Sequence, residues 1–375
     1  MDAPDLVPLM VILRDPDAFM KEGTEKIAFD YRKASSAKEK IFKEIGQNGQ
    51  SPLRQALSNC TKYSGGCMNR PAFDGRGLAK LITAAFYEEN LKISRPKAPK
   101  AGWDGMPEVY VTNCLRNAGT SDVDVRLFLT FTAAMDRARD ADALWNASGK
   151  MFLKEKWAYQ PSEIGAVSEL KLAGVLKSYK VSQRHKGDVA AWRTIASTLK
   201  EKSCAAGVHK AIYSGKGDAK VLLEEVIEQD SGGKALFPLL RGPKISAMWV
   251  RMLVCPGGTQ ISNIDVIPVA VDAQVRKVTE YLGVTATIGA ELEDVRELIQ
   301  RTWAKDVKLH GAIGPEAIAD TPAALDPALW FFAKWGCTHC EKEKKKIRIA
   351  DVCDGCRFDV LCPGGRVPKR SGKCS

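Results

Sequence analysis

The stretch FPLLRGPKISAMWVRMLV, residues 237 to 254, joins a Gly-Pro pair to a segment that reads as an apolar helix. Gly and Pro are the strongest local interrupters of regular structure, so Gly242 and Pro243 predict a turn at the start of this helix. Taken alone, such a turn is an ordinary structural feature and does not indicate a binding site.

The segments around this stretch also have helical periodicity. Apolar residues recur at helical spacing in SELKLAGVLKSYKV (168–181), KVLLEEVIEQ (220–229) and VRKVTEYLGV (275–284). Gly, Pro, Asp and Ser separate such segments from about Val123 to Trp335, and strand signals are scarce. The sequence therefore predicts an all-α fold.

The 375 residues are enough for two or three domains, and changes in composition suggest three regions. We expect an extra N-terminal region at 1–110, of helical character and unknown role, a helical body at 111–336, and a cysteine-rich loop with a basic tail at 337–375. The Pro-, Gly- and Lys-rich segment 93–107 reads as a linker or exposed loop. Cys60 and Cys67 form an isolated pair, which is more typical of two buried thiols than of a metal site.

The charge balance and the apolar runs limit the classes of partner and location. A formal net charge of +11 and a pI near 9 favour a polyanionic partner, either nucleic acid or an anionic membrane surface. The first apolar run, Leu6 to Leu13, is short, is interrupted by Pro8 and lacks a basic flank, and no later run approaches the ~18 residues that span a bilayer. We therefore expect an intracellular protein with reduced thiols.

Five of the eleven cysteines lie within CTHCEKEKKKIRIADVCDGCRFDVLC, residues 337 to 362. In one grouping, two Cys-x2-Cys pairs supply the four thiolates of a tetrahedral zinc site, which leaves Cys362 without a role. In the other, Cys353, Cys356 and Cys362 supply three ligands of a [4Fe–4S] cluster, and Cys337 or Cys340 supplies the fourth. Spacing alone leaves both groupings open, although an iron–sulfur protein is brown and a zinc protein is colourless.

The segment CDGCRFDVLCP resembles the end of the iron–sulfur loop of the endonuclease III family of helix-hairpin-helix DNA glycosylases. The family pattern is Cys-x6-Cys-x2-Cys-x5-Cys, and its last three cysteines match Cys353, Cys356 and Cys362. The first spacing differs, because Lys346 stands six residues before Cys353 and the loop is longer here. The helix PALWFFAKWGC resembles the family's last helix, which favours Cys337 over Cys340 as the fourth ligand. The added residues include the basic run from Lys342 to Arg348, whose role is either a solvated charge run or phosphate contact.

Two further segments resemble the same family. The hairpin pattern Leu-Pro-Gly-Val-Gly matches Leu240 and Gly242, with Lys244 in place of the second Gly, and its backbone amides would face a DNA phosphate. The segment IPVAVDAQVRKVTEYLGV (267–284) places Asp272 on the family's catalytic aspartate and Lys277 on a basic position that follows it. Asp272 also suits a helix N-cap, which by itself would explain an Asp there. Arg251, together with Lys277, is a further candidate for phosphate contact.

Ser246 stands where bifunctional members of the family carry the lyase lysine. The resemblance therefore implies a monofunctional enzyme that uses water, and we do not expect Lys244 to substitute, because two residues along a helix point to different sides. Thr132 is nearest by position to the family's intercalating residue, while Tyr179 and Lys180 are candidates for contact near the lesion.

The resemblance covers about residues 123 to 362 and implies an all-α helix-hairpin-helix glycosylase fold with two helical subdomains. It implies a monomeric, nucleoid-associated base-excision repair enzyme that acts on double-stranded DNA containing a damaged or mismatched base, with a [4Fe–4S] cluster and no membrane partner. It does not indicate which base is removed. Two rivals are a non-catalytic DNA-binding protein of the same fold and a zinc-ribbon nucleic-acid binder.

Overall fold

The computed structural model describes residues 77–88, 102–201, 203, 205–282, 284 and 291–337. Helices account for most of this part of the chain and strands for very little, which confirms the predicted all-α class. The predicted cluster ligands Cys340, Cys353, Cys356 and Cys362, the basic run 342–348 and the pair Cys60 and Cys67 lie outside the described residues.

The described part contains thirteen α-helices, which we number in chain order. They are α1 (Leu78–Tyr87), α2 (Pro107–Asn117), α3 (Asp122–Ala134), α4 (Ala141–Lys154), α5 (Pro161–Ala166), α6 (Glu169–Ser178), α7 (His185–Lys200), α8 (Ala206–Ser214), α9 (Ala219–Glu225), α10 (Pro243–Val254), α11 (Ala273–Tyr281), α12 (Leu292–His310) and α13 (Pro322–Phe331). A π-helical turn, Phe332–Cys337, continues α13.

Two three-residue strands form the only sheet in the described residues. Strand β1 (Lys216–Asp218) pairs in parallel with β2 (Gln260–Ser262), with Gly217 opposite Ile261. The pairing joins the chain after α8 to the chain after α10, and it leaves the structure otherwise helical.

Polar residues at the helix starts explain several boundaries. Ser121 begins α3 by accepting the backbone N–H of Asp124 at 3.2 Å, and Asp140 begins α4 by accepting that of Ala143 at 2.9 Å. Ser168 and Asp218 cap α6 and α9 in the same way. Each such bond satisfies an amide that the helix itself leaves without a partner and is worth about 1 kcal/mol.

An aromatic cluster forms the core on the α3 side of the structure. Phe128 and Phe131 of α3 contact Tyr159, and Phe131 stacks on Trp192 of α7 with ring centroids 4.9 Å apart. Trp249 of α10 is fully buried and donates its indole N–H to Thr130 Oγ1 at 3.0 Å. These contacts join α10 to α3, which places the apolar stretch 245–254 at the centre of the core.

Helix α1 lies within the predicted N-terminal region but packs on α12 and α13. Phe86 contacts Phe331 with ring centroids 5.4 Å apart, and Tyr87 donates its hydroxyl to the Ala324 carbonyl at 2.8 Å. The end of the predicted linker is also packed, because Met106 and Pro107 are buried where α2 begins. No helix in the described ranges is both long and apolar enough to cross a membrane.

A buried ionic cluster joins three helices. Arg251 of α10 donates Nη2–H to Glu108 Oε1 of α2 at 2.8 Å, and its Nε lies 3.3 Å from Asp326 Oδ2 of α13. The side chains of Arg251 and Glu108 are each 3% exposed. Because such groups are stable in a low-dielectric interior only when paired, this cluster specifies how the three helices meet.

Replacing Arg251 tests this role. Arg251→Met should lower the free energy of unfolding by about 3–5 kcal/mol, because Glu108 and Asp326 would keep buried charge without a cation. Urea denaturation at pH 7 measures the change. Arg301→Met, which removes an exposed pair with Glu297 on α12, is the matched control and should leave stability nearly unchanged. Equal stability of the two variants would contradict the proposed role of the cluster.

Candidate functional site

Asp272 lies at the N-terminus of α11, and its two carboxylate oxygens have different surroundings. Oδ1 accepts the backbone N–H groups of Gln274 at 2.8 Å and Val275 at 2.9 Å, so the residue is a helix N-cap. Oδ2 faces Lys244, whose Nζ lies 3.9 Å away, and the Asp272 side chain is 20% exposed. The cap therefore orients the carboxylate and leaves one oxygen facing a cavity.

Lys244 and Ser246 point to different sides of α10, as two residues separated by about 200° of helix rotation must. Lys244, in the first turn, lines the cavity and is 29% exposed. Ser246 is 6% exposed and does not line it. The amine near Asp272 is thus Lys244, whereas the residue at the expected lyase position is buried elsewhere.

The cavity has a volume of about 470 Å³ and lies between α2, the start of α4, α10, α11 and α13. This is within the ~300–1,000 Å³ range of small-molecule sites. Its apolar walls include the indoles of Trp145 and Trp330 and the thioethers of Met106, Met248 and Met252. Flat aromatic surfaces and polarisable sulfurs suit a planar heterocycle.

The ionic cluster of Arg251, Glu108 and Asp326 lines the same cavity. Asp326 Oδ1 also accepts the backbone N–H of Ala270 at 2.9 Å. Burial raises the pKa of Asp326 to about 6, against the opposing effect of the Arg251 guanidinium. Because Arg251 is enclosed and paired with two carboxylates, its position does not suit the predicted contact with a surface phosphate.

Asp136, just after α3, adds a buried carboxylate to the cavity wall. Asp136 is 7% exposed and lines the cavity. Among the described residues, no cation forms a salt bridge with it. Burial raises its pKa, Glu108 and Asp272 raise it further, and Lys244 and the Trp145 indole act in the opposite direction. Perturbed carboxylates in a cavity are typical of functional sites.

The rim of the cavity carries cations held in fixed positions. Arg137 pairs with Asp188 at 2.7 Å, and Arg139 donates to the carbonyls of Val181 at 2.6 Å and Lys180 at 2.8 Å. These bonds tie the turn after α3 to the first turn of α7 and to the turn after α6, where Lys180 is exposed. Lys334 also lines the cavity, and its ammonium lies 4.7 Å from the ring centroid of Trp330 and 3.2 Å from Asp142.

The remaining predicted residues take different positions. Gly242 is the N-cap residue of α10 and has open space beside it, and Pro243, which has no N–H, follows it as the first residue of the helix. Lys277 is half-buried on α11 and does not line the cavity. Thr132 is fully buried in α3, so its side chain is not exposed as that of an intercalating residue must be. Tyr179 is half-buried beside exposed Lys180.

The structure also identifies residues that the sequence analysis did not single out. These are Glu108, Asp136, Asp326, Trp145, Trp330 and the rim residues Arg137 and Arg139. For Asp326, the sequence did contain a signal that could have identified it. It is a charged residue within the otherwise apolar segment AALDPALWFF. A paired charge of this kind is rare in a helix core unless it has a structural or functional role.

The backbone of Cys337 ends the π-helical turn that follows α13. Among the residues that the structure describes, no group of three or more His, Cys, Asp and Glu side chains is arranged to hold a metal ion. The cluster and zinc ligand sets therefore stay predictions.

No family model, no curated protein and no solved structure matches this chain at a significant level.

The raised pKa of Asp136 predicts an effect on stability. A carboxyl whose pKa is higher in the folded than in the unfolded state stabilises the fold when protonated and loses this contribution as pH rises. Asp136→Asn should therefore raise the melting temperature at pH 7.5, and the difference from the unaltered protein should shrink towards pH 4. Thermal denaturation across this range measures it.

Asp188→Asn is the control with the opposite sign. Burial by itself would raise the pKa of Asp188, but hydrogen bonds from Arg184, Ser182 and Gln183 outweigh burial and lower it. This variant should melt at a lower temperature at pH 7.5. A lower melting temperature for Asp136→Asn as well would contradict the assignment of Asp136 as a destabilising carboxylate.

Proposed function

We propose that the protein is a monofunctional DNA glycosylase, which hydrolyses the bond between a base and its deoxyribose in damaged or mismatched duplex DNA. The observation that carries this proposal is the Asp272 carboxylate, held by two backbone amides with one oxygen at a cavity that has indole walls. The resemblance of the hairpin, aspartate and cysteine-loop segments to helix-hairpin-helix glycosylases supports it.

The arrangement suits the chemistry of N-glycosidic hydrolysis. Water adds to C1′ of the sugar, and the bond to the base nitrogen breaks with its electron pair going to the base. Positive charge develops on the sugar ring in the transition state, where a fixed carboxylate stabilises it more than it stabilises the ground state. In this proposal, Asp272 Oδ2, which faces Lys244, also takes the proton that the water loses.

The surroundings of the cavity supply the contacts that DNA would need. A base inside a duplex must leave the stack to be reached, and the cavity offers flat apolar walls to receive it. The backbone N–H and the ammonium of Lys244, the second residue of α10, would face a phosphate beside the extruded nucleotide. Arg137 and Arg139 line the cavity, and the exposed side chain of Lys180, whose carbonyl binds Arg139, would add positive charge next to them.

A [4Fe–4S] cluster is part of the proposal. Cys337, Cys353, Cys356 and Cys362 would supply four thiolates, with Cys340 as the alternative to Cys337, and this is the donor set that such a cluster takes. The cluster would anchor the C-terminal loop, and when bound it would add redox-active iron there. If the loop instead holds zinc, the second rival, a zinc-ribbon nucleic-acid binder, is favoured.

Asp272→Asn tests the catalytic role. The variant keeps a side-chain oxygen for the N-cap but loses the charge, so base release should fall by about 10²–10³. Binding to a duplex that carries a non-cleavable abasic-site analogue should change little. Release is measured with a panel that places uracil, thymine, alkylated purines and oxidised bases opposite each normal base.

The matched control is Asp265→Asn, which removes an exposed carboxylate outside the cavity and should leave release unchanged. Unchanged base release by Asp272→Asn would contradict the assignment. Tight DNA binding by the unaltered protein without release from any duplex would favour the non-catalytic rival.

Borohydride trapping tests the monofunctional mechanism. With Ser246 buried at the lyase position and Lys244 paired with Asp272, hydrolysis should leave no imine between protein and sugar. Sodium borohydride added during turnover should therefore yield no covalent adduct with DNA on a denaturing gel. An adduct would contradict the proposal, and its loss in Lys244→Met would identify Lys244 as the nucleophile.

A further inference from the structure

Asp136 differs from the other carboxylates that line the cavity. The others cap a helix, as Asp140 and Asp272 do, or pair with Arg251, as Glu108 and Asp326 do. Within the described part of the chain, Asp136 caps no helix and forms no salt bridge, although it is 7% exposed. Its carboxyl group therefore has no structural role comparable to theirs.

The turn that carries Asp136 is held from outside the cavity. The backbone N–H of Asp136 donates to the Ala133 carbonyl at 3.0 Å, so the residue continues the end of α3. The next residues, Arg137 and Arg139, anchor the turn to the start of α7 and to the turn after α6. Asp136 thus lines the cavity from a fixed backbone, as a group that transfers a proton to a bound molecule must.

The surroundings of Asp136 favour the protonated form of its carboxyl group. Burial raises the pKa of Asp136, and the negative charges of Glu108 and Asp272 raise it further. The groups that act in the opposite direction are the Lys244 ammonium, the Trp145 indole and the Arg139 guanidinium. A carboxyl that keeps its proton in a buried position beside an aromatic ring is suited to act as a general acid in glycoside hydrolysis.

We infer that Asp136 is the general acid of this site and gives its proton to the base as the glycosidic bond breaks. The inference rests on the proposed glycosylase function and adds a second catalytic residue to it. Asp136 and the Trp145 indole belong to the wall of the cavity that would receive the base, whereas Asp272 lies beside Lys244. The two carboxyl groups would act on different parts of the nucleotide, Asp136 on the base and Asp272 on the sugar and the water.

The step balances in protons and electrons. The electron pair of the glycosidic bond goes to the base, which also takes the proton of Asp136 and departs neutral. Water gives its oxygen to C1′ and one proton to Asp272. Afterwards Asp272 releases a proton to solvent and Asp136 takes one up, which restores the site. Each transfer favours the other, because protonation of Asp272 removes a negative charge that opposes ionisation of Asp136.

The pH dependence of base release tests this role. Single-turnover release of the neutral base that the lesion panel identifies is measured between about pH 6 and about pH 9 with the full-length protein. Because only the protonated acid acts, release by the unaltered protein and by Asp265→Asn should fall as pH rises through the pKa of Asp136. At the low end of this range, Asp136→Asn should release the base about 10²–10³ times more slowly, and its rate should not decline as pH rises.

A second comparison varies how much the departing base needs a proton. The panel base is compared with an analogue of similar shape whose leaving nitrogen is more acidic, as 5-fluorouracil is relative to uracil. The more acidic base departs with less help from an acid, so Asp136→Asn should slow its release several-fold less than that of the parent base. Equal slowing of the two would show that Asp136 acts without its proton and would overturn the inference.

Measurements on the same variant separate loss of catalysis from loss of fold. Asp136→Asn is expected to melt at a higher temperature at pH 7.5 and to bind the duplex with the abasic-site analogue as the unaltered protein does. Slower release by a variant that is folded and binds DNA is therefore an effect on the reaction. A decline at high pH that persists in Asp136→Asn would overturn the inference.

The two proposals fail separately. Undiminished release by Asp136→Asn would overturn the general acid and leave the glycosylase function intact. Release confined to bases that already carry a positive charge would do the same, because such a base departs neutral without an added proton. Absence of release from every duplex by the unaltered protein would refute the glycosylase function and the inference with it.

Discussion

The buried guanidinium of Arg251 is the interaction on which the rest of the cavity depends. It pairs with Glu108 of α2 and Asp326 of α13, and the same Asp326 accepts the backbone N–H of Ala270, two residues before Asp272. One charged group thus connects three helices and positions the segment that carries the proposed catalytic carboxylate. Because a buried charge tolerates few alternative arrangements, the cluster gives the cavity a defined geometry at a cost in desolvation.

The two interpretations of Asp272, helix cap and catalytic group, are compatible. The N-terminus of α11 holds Oδ1 through two backbone amides. Oδ2 faces Lys244, and both residues line the cavity. Local structure therefore supplies what electrostatic catalysis requires, which is a charge fixed in place before the substrate arrives.

Asp136 differs from Asp188, although both are buried carboxylates near the same rim. Asp188 accepts bonds from Ser182, Gln183 and Arg184 and pairs with Arg137, and its pKa is lowered. Burial raises the pKa of Asp136, although the ammonium of Lys244 acts in the opposite direction. Asp188 therefore stabilises the fold at neutral pH, whereas the ionised form of Asp136 is costly there.

The sequence by itself determined the helical class, because periodicity and caps are local properties, and its resemblance to a glycosylase segment singled out Asp272, which also suits a helix N-cap. It also placed Lys244 and Ser246 on different sides of α10. Only the tertiary structure decided that Lys244 faces Asp272, that Arg251 is enclosed and that Thr132 is buried. Glu108, Asp136 and Asp326 are separated by up to about two hundred residues, and their proximity depends on how helices pack. The spacing of residues along the chain does not predict which helices pack together. Helix periodicity and capping can be predicted, because they depend on residues only a few positions apart.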